Sequence, residues 1–458
     1  MRASTPAANP YLGDSIPVTF VKTAVPIVLL ASVNGLLTVV DAIFLGAFVG
    51  ADALAAVTLV FPVSMLMIAL ATMISTGMAS ILARLLGARQ LDQARQLFAG
   101  AHGLSIAISV VVMVLFAAFG WPLVSSVVGG APHIAVMGHQ FLTISVVTLP
   151  LMILLSVHSD ALRTEGRVGF MAIAGLLVSL ANIAFNYAFI VGFGLGVAGS
   201  ALGTAVAQAV ALLVVIAFRS SGRAQLKLSL ADIRQWRFGW GDILALGLPR
   251  SLSFIGIALG AGATIVALRL HGPADIEASI AAYGVITRIM TFAFLPMLGM
   301  ALAMQAIVGN NVGAGQFARS DATLKLALLV SLVYAALVET GLLLFRNQLG
   351  AIFVDDPAVA AELGQIIPVY IACYFTTGPM MMIANYFQSL GDVRRSAVLS
   401  LARTYLFAVP LTFVLPLLWG VDGIWFAVPM ADVLLVSVTA IVLINRSKGL
   451  KWGLFKAA

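Results

Sequence analysis

GLLTVVDAIFLG, residues 35–46, sets one carboxylate, Asp41, inside a run from Ile27 to Val49 that carries no other charge. A run of that length reads as a membrane-spanning helix, and a charge near its middle costs ~3 kcal/mol on insertion scales. Asp41 therefore has to face the protein, not lipid. Asn34 and Thr38 precede it by seven and three residues. Those spacings put all three polar groups on one helix face, with Pro26 a few turns earlier as a kink.

The rest of the chain shares this character. Its 458 residues are 61% hydrophobic and only 9% charged, with a mean hydropathy of +1.08, far outside the range of soluble domains. An all-α polytopic membrane protein is the expected class. One cysteine, Cys373, excludes a disulfide framework, and no Cys/His cluster has metal-ligand spacing. No metal centre and no cofactor are expected. The amino-terminal stretch has a single arginine and no small-residue cleavage site after its first apolar run, so that run is expected to be a retained span.

Apolar runs separated by charged or Gly/Pro-bearing breaks predict twelve spans: 17–46, 52–81, 95–118, 134–160, 168–190, 197–218, 242–270, 278–307, 322–345, 362–388, 396–418 and 423–445. Basic residues gather in the even connections. Arg84, Arg89 and Arg95 follow span 2, Arg163 and Arg167 follow span 4, and Arg219, Arg223, Lys227, Arg234 and Arg237 follow span 6. Arg319 and Lys325 come after span 8, Arg394 and Arg395 after span 10, and Arg446, Lys448, Lys451 and Lys456 close the chain. The odd connections hold chiefly Arg269 and Arg346 beside Asp52, Asp275, Glu277, Asp355, Asp356 and Asp422. By the positive-inside rule both termini are expected in the cytoplasm, of a bacterial inner-membrane protein. The net charge of +7 is then an orientation signal, and no nucleic-acid partner is expected.

The longest polar connection divides the chain into residues 1–218, a cytoplasmic linker 219–241 and residues 242–458. The two halves match. LAAV at 54–57 recurs as IAAY at 280–283, and LLGARQL at 85–91 as NVGAGQF at 311–317, both at an offset of 226. Pro26 pairs with Pro249, LRTEGRV (162–168) with FQSLGDV (387–393), and GVAG (196–199) with GVDG (420–423). Six spans per half make the repeats parallel, an arrangement that builds transporters with a substrate path between halves that rock.

The repeat also acts as a control on polarity. Ser179, Asn182 and Asn186 share one face of span 5, and Ser200, Thr204 and Gln208 one face of span 6. Through the repeat Asp41 falls on Thr264, Asn182 on Phe407, Asn186 on Leu411 and Thr204 on Val428. A shared scaffold need would have kept the polarity in both halves. Asp41, Asn182, Asn186 and Thr204, with Asn34 and Thr38, are therefore the candidate site; the alternative is interhelical hydrogen bonding of modest energy.

VDAIFLGAFVGADALAAV (40–57), GMASILARLLGARQLDQA (77–94), ALRTEG (161–166), GVAGSALGTAVAQ (196–208) and VGNNVGAGQFAR (308–319) together resemble the multidrug and toxic compound extrusion (MATE) family, over about Pro17 to Arg446. The resemblance implies two six-helix lobes around a central cleft and export of cationic or amphipathic compounds in exchange for protons or sodium ions. It assigns Asp41 the ion-coupling role, with Asn182, Asn186 and Thr204 beside it. The chain departs from the pattern in two places. The acidic residues of one branch are missing from Phe254–Ala258 and Phe375–Pro379, and Asn186 stands where some members carry a second aspartate.

Asp160 and Arg163, one turn apart, can pair. Glu339, Arg288, Asp432, Arg250 and Arg403 also lie at membrane depth without an assignable role. Methionines crowd spans 2, 8 and 10, and soft side chains suit a promiscuous cleft as well as plain packing. Gly194, Gly196 and Gly199 match a dinucleotide signature but follow a span, so close helix packing is the reading. No phosphate-binding G-x-x-x-x-G-K-[ST] occurs, and no catalytic dyad stands at membrane depth, so neither an ATP-driven pump nor an enzyme is expected. A monomeric drug/proton antiporter is the expectation, with sodium as the other candidate ion. The rivals are a flippase for lipid-linked precursors or oligosaccharides, which would want a more cationic cleft, and an ion channel.

Overall fold

A computed structural model describes residues 9–128, 130–227, 234–272, 276–353 and 356–447. Asp275, Asp355, Lys448, Lys451, Lys456 and positions 228–233 of the linker lie outside the described residues. In hydrocarbon each segment must satisfy its own backbone N–H and C=O groups, and the described residues are accordingly helical, with no strand among them. After one turn, α1 (Pro10–Gly13), the first half contains α2 (Ile16–Phe48), α3 (Ala51–Gly87), α4 (Leu91–Val128), α5 (Pro132–Val147), α6 (Leu149–Thr164), α7 (Val168–Tyr187) and α8 (Gly196–Ser220). The second half contains α9 (Trp240–His271), α10 (Glu277–Gly313), α11 (Phe317–Leu344), α12 (Arg346–Phe353), α13 (Pro357–Tyr370), α14 (Tyr374–Leu390) and α15 (Val393–Leu401). A π turn, Ala402–Ala408, then leads into α16 (Val409–Val414), α17 (Pro416–Trp419) and α18 (Asp422–Ser447).

Ten stretches are long and apolar enough to cross a membrane, and two bent pairs, α5 with α6 and α13 with α14, make up twelve. The sequence predicts each pair as one span, 134–160 and 362–388. The first bends by 48° at Thr148 and the second by 51°. Pro150, in the first turn of α6, has no N–H to donate and disfavours helix in the residue before it. The second break has no such proline. It is held instead by Glu339 on α11, whose Oε2 accepts from the Phe375 N–H at 2.7 Å and so satisfies a helix-start donor at membrane depth. At an offset of 225 Thr148 falls on Cys373, so the two halves break the same helix at the same place.

The halves meet by exchange: α3 packs along α9, and α2 along α10. Glycine makes this approach close. A Cβ on Gly77 would strike the Ile243 carbonyl, one on Gly247 the Met73 carbonyl, and one on Gly299 the Val28 backbone. These contacts lie toward the basic ends of the helices, where α1 also wedges in. The Tyr11 hydroxyl donates to the Arg163 carbonyl, Asn9 Nδ2 donates to Asn310 Oδ1 at 2.7 Å, and Arg319 Nη2 donates to the Asp14 carbonyl at 2.7 Å. The basic end is therefore sealed by both halves and by the first turn of the chain.

Candidate functional site

α2 and α7 are joined by two side-chain rungs. Ser179 Oγ donates to Asn34 Oδ1 at 2.9 Å, and Asn186 Nδ2 donates to Asp41 Oδ1 at 2.8 Å. Each rung is seven residues above the other on both helices, two turns of each, which requires the helices to run parallel. From Asp41 the chain of contacts continues inward. The same Asn186 Nδ2 reaches Asn182 Oδ1 at 3.3 Å, Asn182 Nδ2 donates to Thr204 Oγ1 at 2.9 Å, and Thr204 Oγ1 donates to the Ser200 carbonyl at 3.1 Å.

Asn182 and Asn186 are buried, and Asp41 and Thr204 are partly buried. Asn186 Oδ1 is buried without a hydrogen-bond donor. It lies over Gly203, where no Cβ would fit. Asn34 joins the cluster through Ser179, whereas exposed Thr38 only donates to the Asn34 carbonyl at 3.2 Å. The structure thus links Asp41, Asn186, Asn182 and Thr204 in one hydrogen-bonded line, with Asn34 on a separate rung and Thr38 outside both.

A cavity of about 500 Å³ opens beside this line, with Asn34, Ser179, Asn182 and Thr204 in its wall. Asp41 and Asn186 stand behind that wall. The cavity is a size suited to drug-like molecules. Thr72, Ser75 and Thr76 of α3 contribute hydroxyls to it. Their i, i+3, i+4 spacing was a readable signal that the sequence reading passed over. Arg250, Phe254, Leu298 and Leu302 close it from the second half.

The remaining interior polar residues fall into two groups. Arg163 binds Asp160 at 3.0 Å, the pair that their spacing allows, and also donates to the Leu302 carbonyl and Gln305 Oε1. Arg403 holds Asp432 at 2.5 Å. Those pairs are internal ties. His102 and His158, scattered in sequence, meet at 3.0 Å through their Nε2 atoms. Arg219 Nε donates to His158 Nδ1 at 3.0 Å and Arg219 Nη1 pairs with Glu165 at 2.6 Å. Since Arg219 donates to Nδ1, His158 carries its proton on Nε2, and His102 accepts it. Glu165 also receives the Gln225 N–H at 2.6 Å, so the network fastens the start of the linker to the first half. Arg288 is exposed.

Comparison with known proteins places these features in a wider group. The family model described as MatE matches twice, at residues 26–188 and 253–414, once per repeat and over more than two thirds of the chain. The FAD transporter of Shewanella oneidensis is 26% identical over 392 residues, covering 84% of this chain and 85% of its own length. A probable multidrug resistance protein of Bacillus subtilis is 21% identical over 89% of both chains. Among solved structures, the outward-facing conformation of a multidrug resistance MATE family transporter superposes with a TM-score of 0.89 over 99% of each chain, at 24% identity. The two-lobed fold is shared.

Proposed function

This chain belongs to the MatE family of membrane transporters, and on that premise we propose that it is a secondary active antiporter that exports cationic or amphipathic compounds in exchange for protons. The observation that carries the reading is the single carboxylate at the head of a one-sided polar line. Asp41 accepts one N–H from Asn186, and its second oxygen has no partner among the described residues. That oxygen is where a proton binds. Loading it removes the charge that Asn186 faces, so the packing of α2 against α7 changes, Pro26 offers a bend, and a cationic substrate held nearby loses its counter-charge.

Sodium is the weaker candidate on geometric grounds. A bound ion would sit between Asp41 Oδ1 and Asn182 Oδ1, and the Asn186 amide nitrogen occupies that place, 2.8 and 3.3 Å from the two oxygens. Energetically one proton suffices. Moving it through 100 mV supplies ~2.3 kcal/mol and each pH unit adds ~1.4, enough for a gradient of a few hundredfold in a neutral substrate. The positive-inside rule puts the basic end in the cytoplasm. With that end sealed, the conformation is outward-facing. The flippase reading wants several cations in the cleft, but of Arg250, Arg269 and Arg288 only Arg250 lines the cavity.

The test is ethidium transport in proteoliposomes under an imposed pH gradient or an imposed sodium gradient, for wild type and Asp41→Asn. Proton-driven flux lost in the variant is the expected result. Flux driven by sodium alone, or flux that survives the substitution, overturns the reading.

A further inference from the structure

The charges at the cavity floor do not balance. Asp160 and Arg250 both line the cavity, but Asp160 Oδ1 is already taken by Arg163 Nε at 3.3 Å and Nη2 at 3.0 Å. Arg163 is committed in turn: Nη1 donates to the Leu302 carbonyl at 2.6 Å and Nη2 to Gln305 Oε1 at 3.2 Å. Arg250 has no hydrogen bond and no ion pair among the described residues, and its Nη2 is buried without a partner. The charges that act on it are those of Arg163 and Asp160, two cations against one carboxylate when Arg250 is included. The surplus is positive, and it belongs to the side chain that faces the cavity.

Nothing in the scaffold requires this cation. Through the repeat, Pro249 corresponds to Pro26 and Arg250 to Ile27, a residue packed in the hydrophobic core. The second half thus has an unpaired guanidinium, next to Pro249 of α9, where the first half has a core isoleucine. Holding such a group in a low-dielectric interior without a counter-charge is unfavourable. A planar guanidinium also has the donor geometry for two-point binding of an oxyanion. Around it stand an aromatic ring, Phe254, with its centroid 5.9 Å from the guanidinium carbon, and the leucines 298 and 302.

We propose that Arg250 is the recognition residue for the phosphate of an aromatic phosphate ester, whose apolar body lies against Phe254, Leu298 and Leu302. The floor of the cavity thereby selects an anionic group, while the line that ends at Asp41 handles the coupling ion at the other side. Phosphate fits better than a neutral polar group because Ser75 and Ser159, which line the same cavity and whose hydroxyls have no acceptor among the described residues, can donate to the oxygens that the guanidinium leaves free. The proposal rests on the reading of this cavity as the substrate site.

The experiment compares FMN with riboflavin, a fluorescent pair that differs only by the phosphate, for equilibrium binding to the purified full chain in detergent without any gradient. Wild type is expected to bind FMN about tenfold more tightly, a difference of ~1.4 kcal/mol. Arg250→Gln should erase the preference and Arg250→Lys should keep part of it. Arg269→Gln, which removes an exposed charge outside the cavity, should leave it intact. Equal binding of the two flavins by wild type overturns the proposal, as does a preference that survives Arg250→Gln. Should the glutamine variant fail to fold, the wild-type comparison and the lysine variant still decide. A failure of ethidium export would overturn the antiport reading while leaving this binding difference standing.

Discussion

Asn310 Nδ2 donates to the Thr164 carbonyl at 3.2 Å, and the internal repeat carries that contact onto Arg84 and Ser389, where Nη1 donates to the carbonyl at 2.8 Å. The two bonds are related by the axis that relates the halves. Beside them, a Cβ on Gly87 would strike the Asn310 carbonyl and one on Gly313 the Arg84 carbonyl. Both halves thus close the basic end with the same pair of devices, a side-chain donor to the last turn of a bent helix pair and a glycine under the opposing backbone.

Gly87→Val is therefore expected to unseal that end without unfolding either half. Overpacking of a close contact costs ~1–3 kcal/mol, which converts to a shift of roughly five- to 150-fold between closed and open forms. Reactivity of a cysteine placed at Ser389, in a background lacking Cys373, reads the population. Labelling that stays as slow as in the unmodified glycine background would show that the approach is not what holds the seal.

Tyr11 holds the same end by a different chemistry. Its phenol lies outside the spans, buried against the Arg163 carbonyl, and burial pushes it well above the usual range, with the Arg163 charge opposing. The native group is thus raised above the unfolded one. Its contribution is fully present below about pH 10, the unfolded value, and is lost only as pH rises beyond that. Tyr11→Phe is expected to cost ~1 kcal/mol, by the same amount at pH 6 and pH 9. Thermal melts at the two values check this, and a cost that shrank between them would contradict it.

The buried pair of Glu165 and Arg219 makes the largest stability prediction. Glu165 was quoted in the sequence only as part of a loop signature, yet it is 4% exposed and carries both the arginine and the first residues of the linker. Removing one partner of such a pair leaves an uncompensated charge, at ~3–5 kcal/mol. Glu165→Gln should accordingly lower the melting temperature sharply, and adding Arg219→Gln should restore part of the loss. A single variant that melts within a degree or two of wild type would refute the assignment.

These cases also mark how far the sequence could be read. Spans, repeat and the face shared by Asn182 and Asn186 follow from periodicity and offset, which are local or additive signals. The bend at Thr148 could have been read from Pro150, but the equivalent one at residues 371–373 rests on Glu339 reaching across from another helix. Likewise the solitude of Arg250 depends on Arg163 having already claimed Asp160. Which of several cations keeps a carboxylate is decided by packing between distant segments, and no spacing rule reports it.

Asn186 provides the last prediction, because it stands between the carboxylate and the rest of the line. With an amide there, the nitrogen fills the gap between Asp41 Oδ1 and Asn182 Oδ1. Sodium should then stabilise the wild-type protein no more than choline does at equal ionic strength. Asn186→Asp replaces that nitrogen by oxygen and puts a second carboxylate beside the first, the donor set that a hard cation prefers. At sodium concentrations ten times its dissociation constant, a site in the folded state alone adds ~1.4 kcal/mol. The variant should therefore melt at a higher temperature in sodium chloride than in choline chloride, with no such difference in wild type. A sodium effect of equal size in both proteins would mean that the ion binds without displacing the Asn186 amide, and the preference for protons argued from that amide would fall.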